Sequence, residues 1–150
     1  MPELPGTRIK QLENKEMSKF TITLKSLDRC HIKHELADAE IETDLPPEYG
    51  GQGRSFSSTD LVSAALGTCT ITSIGRILER EGYDPNLLKI EIIKELSHAP
   101  KMIKAIKLKV IHPKPFHKKL LKKLEKATNS CPVKRSLNDD VQVEIEYVNI

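Results

Sequence analysis

The chain has no tryptophan and only three phenylalanines and three tyrosines. A surface that holds single-stranded nucleic acid stacks bases on aromatic rings, so this scarcity argues against one. Strong charge of either sign is also missing. Lys and Arg number 24 against 21 Asp and Glu, for a net +3, which demands no anionic partner. The N-terminus lacks the apolar core of a signal peptide, and no unbroken apolar run approaches the roughly 18 residues of a membrane span. Cysteine is sparse and odd in number, three in all, unlike the paired framework of a small secreted domain. These absences together predict a cytoplasmic chain with neither nucleic acid nor membrane as partner. What remains is an ordinary globular composition, 38% hydrophobic and 30% charged over 150 residues, enough for one domain with a substantial core.

Residues 1–18 read as an N-terminal lead-in, with a second methionine at Met17, and residues 19–150 as a single domain. Phe20, Ile22 and Leu24 alternate with polar neighbours and predict a half-buried strand. Asp28-Arg29 makes its turn. Weaker strands are expected over 30–36 and 39–43, followed by a loop at Pro46–Gly53, whose prolines and glycines stop regular pairing. Residues 59–81 predict the longest helix. Ser57, Ser58, Thr59 and Asp60 supply capping oxygens and negative charge at its start, and Gly82 suits its C-terminal cap. Leu61 to Ile74 is uncharged and rich in Ala, Ser, Thr and Gly, so this helix is expected to be buried on every side, at the centre of the domain. Two strands follow around 88–92 and 106–110, joined at His98–Lys101. Then come a lysine-faced amphipathic helix over about 116–129 and a last strand over 141–147. This order predicts an α+β fold, with antiparallel sheets packed around a buried central helix.

Two cysteines stand in distinct settings. Cys69 lies in the small-residue helix, within Ser58-Thr-Asp-Leu-Val-Ser-Ala-Ala-Leu-Gly-Thr-Cys-Thr70. Cys131 opens Cys-Pro-Val after the lysine-rich helix. They are too far apart in sequence for a local CxxC pair, and if they meet, the fold brings them together. Two thiols converging in a reducing compartment point to redox chemistry more than to stapling. A thiol deep in a helix draws little from the helix dipole, and apolar surroundings raise its pKa. Cys69 therefore needs a cation. Arg29, Arg54 and Arg76 are the candidates.

The block Ser58–Thr70, and Ala127-Thr-Asn-Ser-Cys-Pro-Val133 with its following Val-Gln-Val-Glu-Ile strand, resemble the two cysteine motifs of the OsmC/Ohr family. The order of elements agrees over roughly residues 19–148. The resemblance implies an intertwined homodimer with two active sites at its interface, and a thiol peroxidase that reduces organic hydroperoxides. Cys69 corresponds to the attacking cysteine, Cys131 to the resolving one, and Arg29 by position to the active-site arginine. It further implies a dithiol reductant, of lipoyl type in the organic-hydroperoxide branch, and neither metal nor bound cofactor. The family's peroxidases carry a glutamate ten residues before the attacking cysteine, where it holds the arginine. Here that residue is Thr59, with Asp60 adjacent and Glu48 in the preceding loop as other acidic partners. Leu61, Val62 and Leu66 form the expected apolar wall for an alkyl substrate.

Other readings compete. A lone cysteine on a buried helix is ordinarily a small core residue, and Cys131 alone could be a helix-end residue before proline. Cys30 has no partner motif and reads as structural. Cys30-His31-x-x-His34 invites a metal, but in a strand residues 30 and 34 share a face that 31 does not. His98, His112 and His117 read as loop or strand-end residues. The six lysines from Lys114 to Lys126 read as a solvated helix face. The alternative function is a dimeric, weakly catalytic or non-catalytic protein that binds an apolar or thiol-reactive small molecule. Thr59 in place of glutamate is the feature that favours it.

Overall fold

The computed structural model describes residues 17–150; the expected lead-in lies, up to residue 16, outside them. Two compact units divide the chain, the first ending at Ser58 and the second running Thr59–Ile150.

In the first unit, β1 (Phe20–Ser26), β2 (Arg29–His34) and β3 (Glu40–Asp44) form an antiparallel sheet in the order β1-β2-β3. Asp28 shapes the first turn by accepting a 2.6 Å hydrogen bond from Ser26 Oγ. His34 Nδ1 shapes the second by accepting from the backbone N–H groups of Leu36 and Ala37. That use of the imidazole leaves its ring tied to a turn rather than turned toward His31, which faces Glu40 at 3.4 Å. The register aligns Ile22, Ile32 and Ile41, and likewise Phe20 with His34 and Leu24 with Cys30. Directly opposed residues share a sheet face, so this face is apolar. Half-burial of β1 was the expectation, but the strand is exposed throughout, Ile22 to 64%. The reason is that the first unit holds three strands and one helical turn (Pro47–Tyr49), with no helix to cover the face.

The second unit is built on α1 (Ser58–Arg80), followed by β4 (Lys89–His98), β5 (Lys101–Ile111), α2 (Lys118–Asn129), α3 (Pro132–Ser136) and β6 (Gln142–Val148). β4 and β5 pair antiparallel across the two-residue turn Ala99-Pro100. β6 joins β5 in parallel, as a strand must when it returns through a helical crossover. α1 stops where expected: Gly82 adopts φ +80°, and Tyr83 N–H returns to Leu78 O at 2.9 Å. α2 begins later than its apolar pattern suggests, because His117 takes the N-cap and accepts from Leu120 N–H. His112 is buried, with Nε2 2.9 Å from Asp84 O.

α1 differs from expectation in its burial. Ser63, Leu66, Gly67, Thr70, Ile74 and Leu78 are buried, a single stripe at three- and four-residue spacing. Val62, Ala65, Thr68, Thr72 and Arg76 on the other side are exposed. The sheet, α2 and the α3 segment cover this one stripe. By length and composition alone α1 is also apolar enough to cross a membrane, although no unbroken apolar run reaches that length; its Ala, Gly, Thr and Ser residues extend the uncharged stretch. Two clusters form the core of this unit. Ile74, Leu78, Tyr83, Val110, Leu120 and Leu124 hold α1 and α2 on the sheet. Leu66, Ile106, Leu108 and Cys131 form the other.

Candidate functional site

Cys131 is the N-cap residue of α3. Its N–H donates to Thr128 O at 3.2 Å and its carbonyl accepts from Arg135 N–H at 3.0 Å, so the end of α2 and the start of α3 clamp it from both sides. It is 0% exposed, and Cys69 on α1 packs against its cluster from a partly exposed position. Both thiols are free, and they are close enough for the Cys131 thiol to act on the ionisation of Cys69. The structure thus brings together two residues whose meeting could not be read from spacing.

A third group completes the contact. The backbone N–H of Val133 acts on the Cys69 thiol as well, favouring its anion. It is available because the N–H groups in the first turn of a helix have no intrahelical acceptor, and Pro132 at the first position supplies no N–H of its own. Burial pushes the Cys69 thiol above its ordinary value, and the Cys131 thiol pushes it further the same way; Val133 N–H pulls it back. A buried anion is disfavoured, and only a donor or a cation relieves it.

At the start of α1, Lys94 Nζ lies 2.8 Å from Thr59 Oγ1 and 2.7 Å from Asp60 Oδ1. Register with Ile106 and Val143 puts Lys94 on the apolar, helix-facing side of the sheet. A charge there must find partners, and the helix start provides them. Leu66 joins the thiol cluster. Leu61 and Val62 do not, and Val62 is 38% exposed. Arg76 is exposed on α1.

The remaining predicted residues belong to the first unit. Arg29 Nη2 donates to Glu42 Oε2 at 2.6 Å, and Lys25 binds the same carboxylate. Lys25 first and Arg29 second hold the Glu42 carboxyl below its ordinary range. Arg54 donates from Nε to Asp44 Oδ2 at 2.7 Å and reaches Asp28 at 3.4 Å. The carboxylates that hold these two arginines are therefore Glu42, Asp44 and Asp28, not Glu48, which sits in the one-turn helix at Pro47–Tyr49.

Sequence reasoning missed Val133, Lys94, Glu42, and the wall made by Ile103, Ile106, Leu108 and Val143. The Cys-Pro pair did carry a signal for the first, since proline opening a helix marks free donors just behind it. Nothing local marks Lys94, which reads as one more polar residue in an alternating strand.

A family model described as OsmC-like protein matches residues 51–146. The chain belongs to the OsmC-like protein family. Among solved structures, one from Psychrobacter arcticus 273-4, of a protein named for osmotic stress induction and detoxification response, is 24% identical. It covers 88% of this chain and 96% of its own, with a TM-score of 0.81. The organic hydroperoxide resistance protein of Elizabethkingia anophelis, with thiocyanate bound, is 15% identical over 89% of this chain and 96% of its own, at 0.70. The organic hydroperoxide resistance protein OhrB of Bacillus subtilis is 17% identical over 88% and 98%, at 0.60. At these identities the likeness establishes the OsmC-like fold. Among curated proteins, none matches the chain.

Proposed function

We propose that this OsmC-like protein is a thiol peroxidase that reduces organic hydroperoxides. The observation that carries the reading is the contact between a partly exposed Cys69 and a fully buried Cys131 inside an apolar cluster. The hydroperoxide resistance proteins among its structural neighbours support a peroxide-related role. The Cys69 thiolate attacks the outer oxygen of ROOH, the O–O bond breaks, and the alkoxide leaves as ROH after taking up a proton. Cys69 becomes a sulfenic acid. The Cys131 thiol then displaces its hydroxyl as water, giving a disulfide. An external dithiol, of lipoyl type by family resemblance, reduces that disulfide and is itself oxidised. Arg29 is the proposed cation for the Cys69 thiolate, with Arg54 and Arg76 as alternatives, and the two units work as one domain within a homodimer in the cytoplasm. Leu66 and its neighbours favour alkyl over hydrogen peroxide because alkyl groups gain from burial.

The second reading is a dimeric binding protein with little turnover. Two observations favour it: Lys94 occupies Thr59 and Asp60 at the position of the family's arginine-holding glutamate, and the Cys69 thiol is pushed up rather than down. Peroxide consumption with a dithiol reductant decides between the two. The peroxidase should consume organic hydroperoxide faster than free thiol, with Cys69→Ser abolishing it and a Cys69–Cys131 disulfide seen by mass spectrometry after one equivalent. Turnover no faster than free thiol establishes the binding protein, and a linkage through Cys30 removes Cys131 from the resolving role.

A further inference from the structure

We infer that the groove between the C-terminal halves of α1 and α2 is a binding site for an alkyl carboxylate, separate from the thiols. The groove is an open trough of about 430 Å³, lined by Ile77, Arg80 and Glu81 from α1, by Lys123, Lys126 and Ala127 from α2, and by Ser130. That volume lies within the range of small-molecule pockets. Ile77 and Ala127 supply an apolar floor, and the methylene stems of the arginine and lysines extend it.

The charges on the rim are unequal in their engagement. Glu81 is paired with Lys123, and the two largely cancel. Arg80 and Lys126 form no ion pair with any described residue. The ordinary role for cations at this end of a helix is to satisfy the last carbonyls, but here backbone donors already serve three of the last four in each helix. Glu81, Gly82 and Tyr83 N–H serve Ile77, Leu78 and Glu79 of α1, and Ser130 and Cys131 N–H serve Lys126, Ala127 and Thr128 of α2. Two cations without an ion pair among the described residues thus line an apolar trough. An anion alone would leave the trough empty, and an alkane alone would leave the cations unmatched. A single chain ending in a carboxylate answers both, with the planar Arg80 fork suited to two carboxylate oxygens.

Decanoate titrated into the full-length Cys69→Ser protein tests the site independently of any peroxidase activity. Saturable binding is expected below about 1 mM, with amide NMR shifts concentrated at Ile77, Arg80, Lys126, Ala127 and Ser130. Arg80→Gln with Lys126→Gln keeps a polar side chain at each position, removes the charge, and should weaken decanoate about tenfold or more, the scale of losing charge-assisted hydrogen bonds. Decanol, which has no charge, should bind the parent and the double variant alike. Equal decanoate affinity in the double variant, shifts centred on the Cys131 cluster, or no saturation in that range would each overturn the assignment.

Discussion

At the scale of single residues, the segment Cys131–Val133 acts on Cys69 in two opposed senses. The Cys131 thiol raises the Cys69 pKa, and Val133 N–H lowers it. Cys131→Ala removes the first influence and keeps the second, so the Cys69 pKa should fall, as read by pH-dependent alkylation. Peroxide would then still oxidise Cys69 once, leaving a sulfenic acid with no partner thiol. An unchanged or higher pKa would show that the thiol contact does not govern ionisation. Asp44 offers a second residue-scale test. Arg54 holds its carboxyl below the ordinary 3.8. A folded value under the unfolded one gives stability that is complete above the unfolded pKa and is lost as pH falls through the folded pKa. The stability gap between the parent and Arg54→Gln should therefore be open at neutral pH and narrow below about pH 3.8. A gap that persists into acid would place the contribution of Arg54 in packing rather than in charge.

At the scale of elements, a glycine inside α1 and the glycine just past its end carry different constraints. Gly82 ends α1 with φ +80° and open space where a Cβ would stand. Gly82→Ala meets no clash and bears only the left-handed backbone cost, about 1 kcal/mol, measurable by urea unfolding. Gly67 lies on the buried stripe of α1, where a Cβ would come 2.3 Å from Ile92 Cδ1. There the backbone is ordinary and the obstacle is a neighbour. Gly67→Ala should destabilise the protein by crowding, and Ile92→Val, which deletes the offending methyl, should recover part of the loss. The pair should thus be non-additive, while Gly82→Ala with Ile92→Val should simply add.

At the scale of the whole molecule, two surfaces stand out. The first sheet presents Phe20, Ile22, Leu24 and Ile41 to solvent, and α1 presents an uncharged stripe from Val62 to Thr72. Contiguous apolar surface on a small protein marks an interaction site, and a second copy of the chain is the proposed occupant. Sedimentation should show a dimer at micromolar concentration. Ile22→Asp should shift it toward monomer, and Thr23→Asp, on the polar face of the same strand, should not. A stable folded monomer in the parent protein would refute the dimer.

Much of this protein was legible from local pattern. Alternation found β1, β4, β5 and β6, although β4 runs six residues further and β5 begins five residues earlier than it suggested; capping oxygens and Gly82 bounded α1, and the two cysteine blocks singled out Cys69 and Cys131. Such features depend on neighbours within a turn or a strand, and a linear sequence displays them directly. The tertiary structure alone decided that α1 is covered on one stripe and β1 on neither face, because coverage depends on which elements pack against each other. It alone joined β6 to β5 in parallel and set Lys94 against Thr59 and Asp60. Above all, it brought Cys131 and Val133 N–H to Cys69. Those contacts span some sixty residues, and they arise from the sheet and crossover that lie between them, not from the motifs themselves.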